Sequence, residues 1–427
     1  MKHTVTQHKL DSGARGLVIN VPSSDVVNIL VRFNSGYQFA DQHVYEVPHV
    51  MEHLLATVTQ KYPAPNQFMI EAQKNGAYVN ANTSSNYNGY VYECADFELD
   101  RILDLVEEQV VRPLFAPKAL AAELGNVREE LSRNTTQHGS VCSIRLGEKA
   151  YPGQIMDYEA RIAQLDDITL ESVERHYHHT HTAANARFFV AGTFADGGAA
   201  VVRRLERIFA QLPTGRRLPR SQAIGHNVPE PLVARRDIKQ LYYALGLYLG
   251  ELTEAERRAM SLLRLVLVGG FSSRILGEAR RRGLAYGLSA SGQTEPGNSA
   301  FSFSGYVTPA NAEELYKLIA REMRAMREGR LEEAELTAAK QLGIGSTKRS
   351  YQTAADILSW YVAPYDNEGK VVDFNGYLDE LQAVTPAEVV AVAGKIALSG
   401  RHGFSVVGDV DDLAASSYAK RLAAIWE

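Results

Sequence analysis

The 427-residue chain carries 45 Lys+Arg against 50 Asp+Glu, a formal net charge of −5, with 45% apolar residues. It has material for a sizeable core and no basic excess to follow a phosphate backbone, which excludes nucleic acid as the expected partner. Two cysteines, Cys94 and Cys142, are too few for a disulfide framework or a thiolate metal site, and no apolar stretch is long enough for a signal peptide or membrane span. The expected address is therefore cytoplasmic and reducing, with no membrane partner.

In chain order, the run from Val26 to Phe33 reads as a buried strand. The pentapeptide His49-Val50-Met51-Glu52-His53 follows. On a helix, at about 100° per residue, the two histidines lie roughly 40° apart and Glu52 about 60° from His49, so all three share one face. Val50, Met51, Leu54 and Leu55 occupy the other, as expected of a helix docked on a core with its polar side turned to a cleft. Two imidazoles at i and i+4 suit zinc, and an adjacent carboxylate that does not ligate can take a proton from water. The segment Pro48 to His53 thus holds the inverted zinc-protease order, H-x-x-E-H.

Downstream, alternation through Tyr78-Val79-Asn80-Ala81 fits an edge strand, whose free side can bind peptide by strand addition. The acidic segment from Ala121 to Leu131 reads as a helix on which Glu123, Val127 and Glu130 share a side, so it offers the third ligand that two histidines lack. Thr169 reads as an N-cap. The histidines of Arg175-His176-Tyr177-His178-His179-Thr180-His181 fit no single helix face and are expected to be structural or solvated.

A repeat then becomes visible. Arg187 to Gly192 and Gly403 to Gly408 are matching strands with Val190 and Val406 216 residues apart, and Thr169 and Thr385 begin helices at the same offset. Pro-rich residues 213–231 read as a linker. The expectation is an α+β protein of two homologous domains, each a mostly antiparallel sheet packed with helices, over residues 1–212 and 232–427. Shifting His49, Glu52, His53 and Glu130 by 216 gives Leu265, Val268, Gly269 and Ser346, so one metal site per chain is expected, in the first domain. Gly269-Gly270 lacks the surroundings of a phosphate loop.

With 76 residues between His53 and Glu130, the chain resembles the pitrilysin, insulinase and mitochondrial processing peptidase metallopeptidases. The resemblance implies that His49, His53 and Glu130 hold one Zn2+, that Glu52 is the general base and that Glu123 is a supporting acid. Glu129 competes with Glu130 by proximity, but spacing and pattern favour Glu130. It also implies that Asn80, Ala81 and Asn82 pair with an extended peptide substrate, and that Arg280 and Tyr286 reach it from the second domain. Five residues separate Arg280 from Tyr286 where the family usually has six, which leaves Arg281 as an alternative. Further departures are Glu46-Val47-Pro48 in place of a glycine-led approach and the segment from Ala56 to Pro63, which lacks the usual Lys-Gly-Thr. The implied activity is a zinc endopeptidase working within a dimeric chamber, as a homodimer or as a heterodimer with a related subunit. The alternatives are a catalytically silent peptide-holding subunit and a maturation protease dedicated to one precursor and dependent on a partner chain.

Overall fold

The computed structural model describes residues 2–427, which form two compact units, each built on one sheet with helices packed against it. The first sheet uses β1 (Thr4–Lys9), β2 (Arg15–Asn20), β3 (Val26–Phe33), β4 (Tyr78–Thr83), β5 (Asn88–Ala95) and β6 (Ala186–Gly192) in the order β1-β2-β6-β3-β5-β4. The second uses β7 (Val228–Arg235), β8 (Leu241–Leu249), β9 (Leu288–Glu295), β10 (Asn298–Val307) and β11 (His402–Gly408) in the order β7-β11-β8-β10-β9. Without β1 the two orders are the same, and each sheet has one parallel pair, β2 with β6 and β7 with β11, among antiparallel neighbours. The architecture is thus α+β and two-domain, with the repeat carried by strand order as well as by sequence.

The units are not contiguous in sequence. Residues 133–158 group with the second unit and 350–371 with the first, so the division at 212 and 232 describes the repeat and not the packing. Helix His138–Ala150 lies on β7, β8 and β11, whereas helix Ala354–Glu368 lies on β3 and β6. Their starts are 216 residues apart, so equivalent helices of the repeat have been exchanged. The expected linker is also partly structured, since β7 begins at Val228.

Burial follows the patterns that define the elements. The β6 strand is buried from Phe188 to Gly192, as suits a central strand covered on both faces, and β3 is buried over Val27–Val31. In the second unit, Leu245, Leu263, Phe301, Phe303, Tyr316 and Val406 share one core, each such apolar side chain contributing about 1.5–3 kcal/mol on burial. Thr169 and Thr385 each close a capping box at a helix start.

The histidine cluster is structural at its buried members. His176 Nε2 meets the Ser35 carbonyl at 2.8 Å, and His181 stacks on Phe33 at 4.2 Å while bonding Tyr90 Oη at 2.9 Å. Burial lowers the pKa of both, His176 to about 4 against the pull of the Ser35 carbonyl, so both rings stay neutral. His178 and His179 are exposed.

Candidate metal centre

Helix Val47–Leu55 starts with Pro48 in its first turn, where the missing N–H costs nothing, and buries Val50, Met51, Leu54 and Leu55 completely. That anchorage fixes the opposite face, on which His49 and His53 meet edge to face with centroids 4.9 Å apart. Helix Pro117–Asn134 buries Leu120, Val127 and Leu131 and turns Glu123 and Glu130 toward the histidines. The Glu130 Oε2 atom lies 3.6 Å from His49 Nε2 and 3.9 Å from His53 Nε2. Among the described residues, these three form the group whose donor atoms converge, all within 4.8 Å of one another, and Glu129 is exposed and outside it.

Each imidazole is oriented through its other nitrogen. His49 Nδ1 donates to Glu46 Oε2 at 2.9 Å, and His53 Nδ1 to Glu123 Oε2 at 3.0 Å. Carboxylate partners on both Nδ1 atoms select the tautomer that leaves Nε2 as the donor to a metal. The set suits zinc: two ligand atoms about 2.0–2.1 Å from a tetrahedral ion lie roughly 3.3 Å apart, Glu130 Oε2 stands a little beyond that from each Nε2, and all three donor atoms lie within 4.8 Å of one another. Charge agrees, because Glu46, Glu52, Glu123 and Glu130 outnumber the single guanidinium of Arg161. Burial opposes a cation on His49, yet the hydrogen bonds of Glu130 and Glu46 and the charges of Glu46 and Glu52 raise its pKa to about 9. Glu123 is held down to about 2 by its bond to His53, against burial, with help from Asn126 and Thr57.

Glu52 does not join the ligands. Its Oε2 accepts a 2.6 Å bond from Thr83 Oγ1, which in turn accepts from Asn88 Nδ2 at 2.7 Å. Asn88 Nδ2 also reaches the Pro48 carbonyl at 3.2 Å, tying the β4–β5 hairpin to the helix that bears the histidines. Burial raises the Glu52 pKa, while the Thr83 bond and the two imidazoles oppose and Glu130 adds to the rise, which makes the carboxylate a stronger base.

β4 is an edge strand, so its outer side is open to a further strand. On it Asn80 and Asn82 are exposed, Asn80 Nδ2 donates to Tyr78 Oη at 2.8 Å, and the Ala81 amide donates to Asn80 Oδ1 at 2.9 Å. In the second unit, the Arg280 guanidinium sits 4.5 Å from the Tyr286 ring and 4.8 Å from the Phe271 ring, both rings about three-quarters exposed. Arg281 is paired with Glu278 and Arg282 with Glu314, so of the three arginines only Arg280 is stacked on Tyr286.

Several supporting residues have no role in the sequence reading. Glu46 stands three residues before His49, a spacing that a helix brings together, but the sequence marks it only as a departure from pattern. Its other oxygen accepts from Arg161, which also donates to Tyr37 Oη at 2.8 Å and lies over the stacked rings of Tyr37 and Tyr45. Thr57, in the segment lacking Lys-Gly-Thr, donates to Glu123 at 2.9 Å.

Comparison with known proteins agrees with this geometry. The profile described as Insulinase (Peptidase family M16) matches residues 15–159, and that described as Peptidase M16 inactive domain matches residues 167–342. An uncharacterized zinc protease of Streptomyces coelicolor is 24% identical over 97% of this chain and 91% of its own length. Two crystal structures share the fold: a protease from Helicobacter pylori (TM-score 0.84, 18% identity, 95% of this chain and 100% of that one) and a peptidase M16 inactive domain from Pseudomonas fluorescens (TM-score 0.85, 17% identity, 96% and 98%). With the inverted motif on a buried helix, Glu130 facing both histidines and the two-domain repeat matched in both halves, the chain belongs to the insulinase family of peptidases, M16.

Proposed function

We propose that the protein is a zinc-dependent endopeptidase acting on peptides or unfolded segments. The observation that carries this reading is a complete His49, His53, Glu130 donor set beside a carboxylate, Glu52, that Thr83 holds apart from it. Bound there, Zn2+ supplies the Lewis acidity that activates water and the scissile carbonyl. Glu52 takes a proton from the attacking water and passes it to the leaving amine. Glu46 and Glu123 keep the imidazoles in the ligating tautomer. The open edge of β4, at Asn80, Ala81 and Asn82, holds the substrate extended, and the exposed Tyr286 ring with Arg280 stacked on it is a further substrate contact.

Zinc content tests the ligand assignment without a known substrate. Purified protein is expected to carry about one zinc per chain. Glu130→Gln should lose it on dialysis against a chelator that leaves the wild type loaded, and Glu46→Gln should weaken retention about 10–100-fold, as loss of an imidazole-orienting carboxylate does. Metal-free wild type that refuses added zinc would refute the enzyme and favour the silent peptide-holding subunit.

We further propose a homodimer, since the repeat supplies two domains per chain and, among the described residues, the converging ligands lie in the first. Sedimentation at micromolar concentration should give twice the 47.1 kDa chain mass; a strictly monomeric active enzyme would overturn the pairing, and activity only with a second chain would favour the heterodimer or the dedicated maturation protease. A cytoplasmic address is supported by two buried, unbridged cysteines and is checked by cell fractionation. No helix among the described residues is long and apolar enough to cross a membrane.

A further inference from the structure

Three arginines stand directly opposite one another across neighbouring strands of the first sheet. Arg15 on β2 is in register with Arg187 on β6, and Arg187 with Arg32 on β3. Register partners project from the same face, where like charges repel, so this row costs stability unless countercharge is supplied. Arg217 and Arg220 add two more guanidinia, at 2.6 and 2.5 Å from the carboxylate of Asp366, with Arg32 at 3.6 Å from the same group.

Asp366 is the only carboxylate within ion-pair distance of any of the five among the described residues, and Arg15 and Arg187 have none. Anchoring helix Ala354–Glu368 explains Arg32, Arg217 and Arg220, whereas Arg15 and Arg187 pair with no carboxylate, and Asp366 offsets the charge of Arg187 only at longer range. Burial and the neighbouring guanidinia push both Arg187 and Arg217 below the usual arginine range, with Asp366 opposing. The Arg32 Nε atom is buried with no partner, and Arg187 spends one nitrogen on the Ala186 and Ala184 carbonyls. Arg15 is exposed, and beyond it the row meets a further cation, Lys9 on β1.

We propose that Arg15, Arg187 and Arg32 form an oxyanion-binding site, which takes a carboxylate or phosphate group either free in solution or carried by a peptide. Planar forks mounted on adjacent strands suit such a group, and bidentate bonds to it supply the countercharge that Asp366 alone does not. The cross-sheet row continues from Arg32 through Gly89 to Asn82 on the edge strand. At about 4.8 Å per strand, Arg32 lies roughly 10 Å from Asn82. The Tyr87 ring, 3.9 Å from the Arg32 guanidinium and with its hydroxyl accepting from it at 3.1 Å, stands between them, so an acidic segment of a peptide paired with β4 reaches the row past that ring. The peptide source rests on the proposed peptidase reading; the free-anion source does not.

Calorimetric titration with inorganic phosphate, at ionic strength held constant with chloride, tests the site. The wild type should give saturable binding of one phosphate, weakened at least tenfold in Arg15→Gln and in Arg187→Gln and unchanged in Arg216→Gln, a change at an exposed arginine outside the cluster. Arg15 is exposed, so its variant is informative even where Arg187→Gln folds poorly. In a second arm, a fluorescent peptide ending in Asp and Glu is compared with its Asn, Gln and amide counterpart on Glu52→Gln protein. Acid-dependent binding displaced by phosphate identifies the peptide as the source, and phosphate binding without it identifies a free anion. Absence of any phosphate or peptide binding that depends on Arg15 would overturn the site and leave the row as a clamp for Asp366. Since every readout is binding, failure of the peptidase reading would leave the phosphate arm intact and separately visible.

Discussion

Glu52→Gln should lose peptide hydrolysis by about 10³-fold while keeping its zinc, because the change removes a proton acceptor and leaves every ligand in place. Glutamine is nearly isosteric, and its carbonyl oxygen can still accept the Thr83 hydroxyl that now meets Glu52 Oε2 at 2.6 Å. His49, His53 and Glu130 keep their mutual spacing, and the Nδ1 bonds to Glu46 and Glu123 are untouched. The loss should therefore fall on kcat, with KM little changed, since Glu52 acts on the water and not on substrate affinity. The check is kcat and KM on a peptide found by library search, read beside metal content from the same preparation. Turnover within a few-fold of wild type would remove Glu52 from the role of base, and a fall in zinc would show it to be part of the metal's support.

What the sequence disclosed was what local geometry determines. The i and i+4 spacing of His49 and His53 and the shared side of Glu123 and Glu130 are consequences of helix periodicity, which holds wherever the helix is placed. Their convergence is not a local property, and only the 76-residue interval characteristic of the family linked the two helices in advance. Glu46 shows the boundary well: its i, i+3 relation to His49 was readable, but its function depends on Arg161, 112 residues after His49, bringing a guanidinium to its other oxygen. The strands bearing Arg32 and Arg187 were legible as apolar runs, whereas the register that sets the two arginines opposite each other is fixed by pairing across the sheet. The helix exchange was hidden for a related reason. A 216-residue offset identifies helices His138–Ala150 and Ala354–Glu368 as equivalents, but equivalence says nothing about which sheet each one covers.

That exchange makes Asp366 a residue whose loss should cost the fold heavily. Its side chain is 1% exposed, lies near the end of helix Ala354–Glu368, and meets Arg32, Arg217 and Arg220. Asp366→Asn preserves shape but leaves these guanidinia with no carboxylate, and breaking a buried ion cluster from one side typically costs about 3–5 kcal/mol. Urea unfolding should show a lower midpoint with little change in slope. Burial tends to raise the Asp366 pKa, but Arg220, Arg217 and Arg32 prevail and hold it below the usual aspartate range. A carboxyl depressed in the folded state stabilises above its unfolded pKa of about 3.9, and that stability is lost as pH falls through the lower, folded value. The gap between wild type and variant should therefore be full at neutral pH and close only below about pH 4. A variant within 1 kcal/mol of wild type at pH 7 would mean that solvent already screens the cluster, and helix Ala354–Glu368 would then owe its place to apolar contacts such as that of Tyr365 with Phe189.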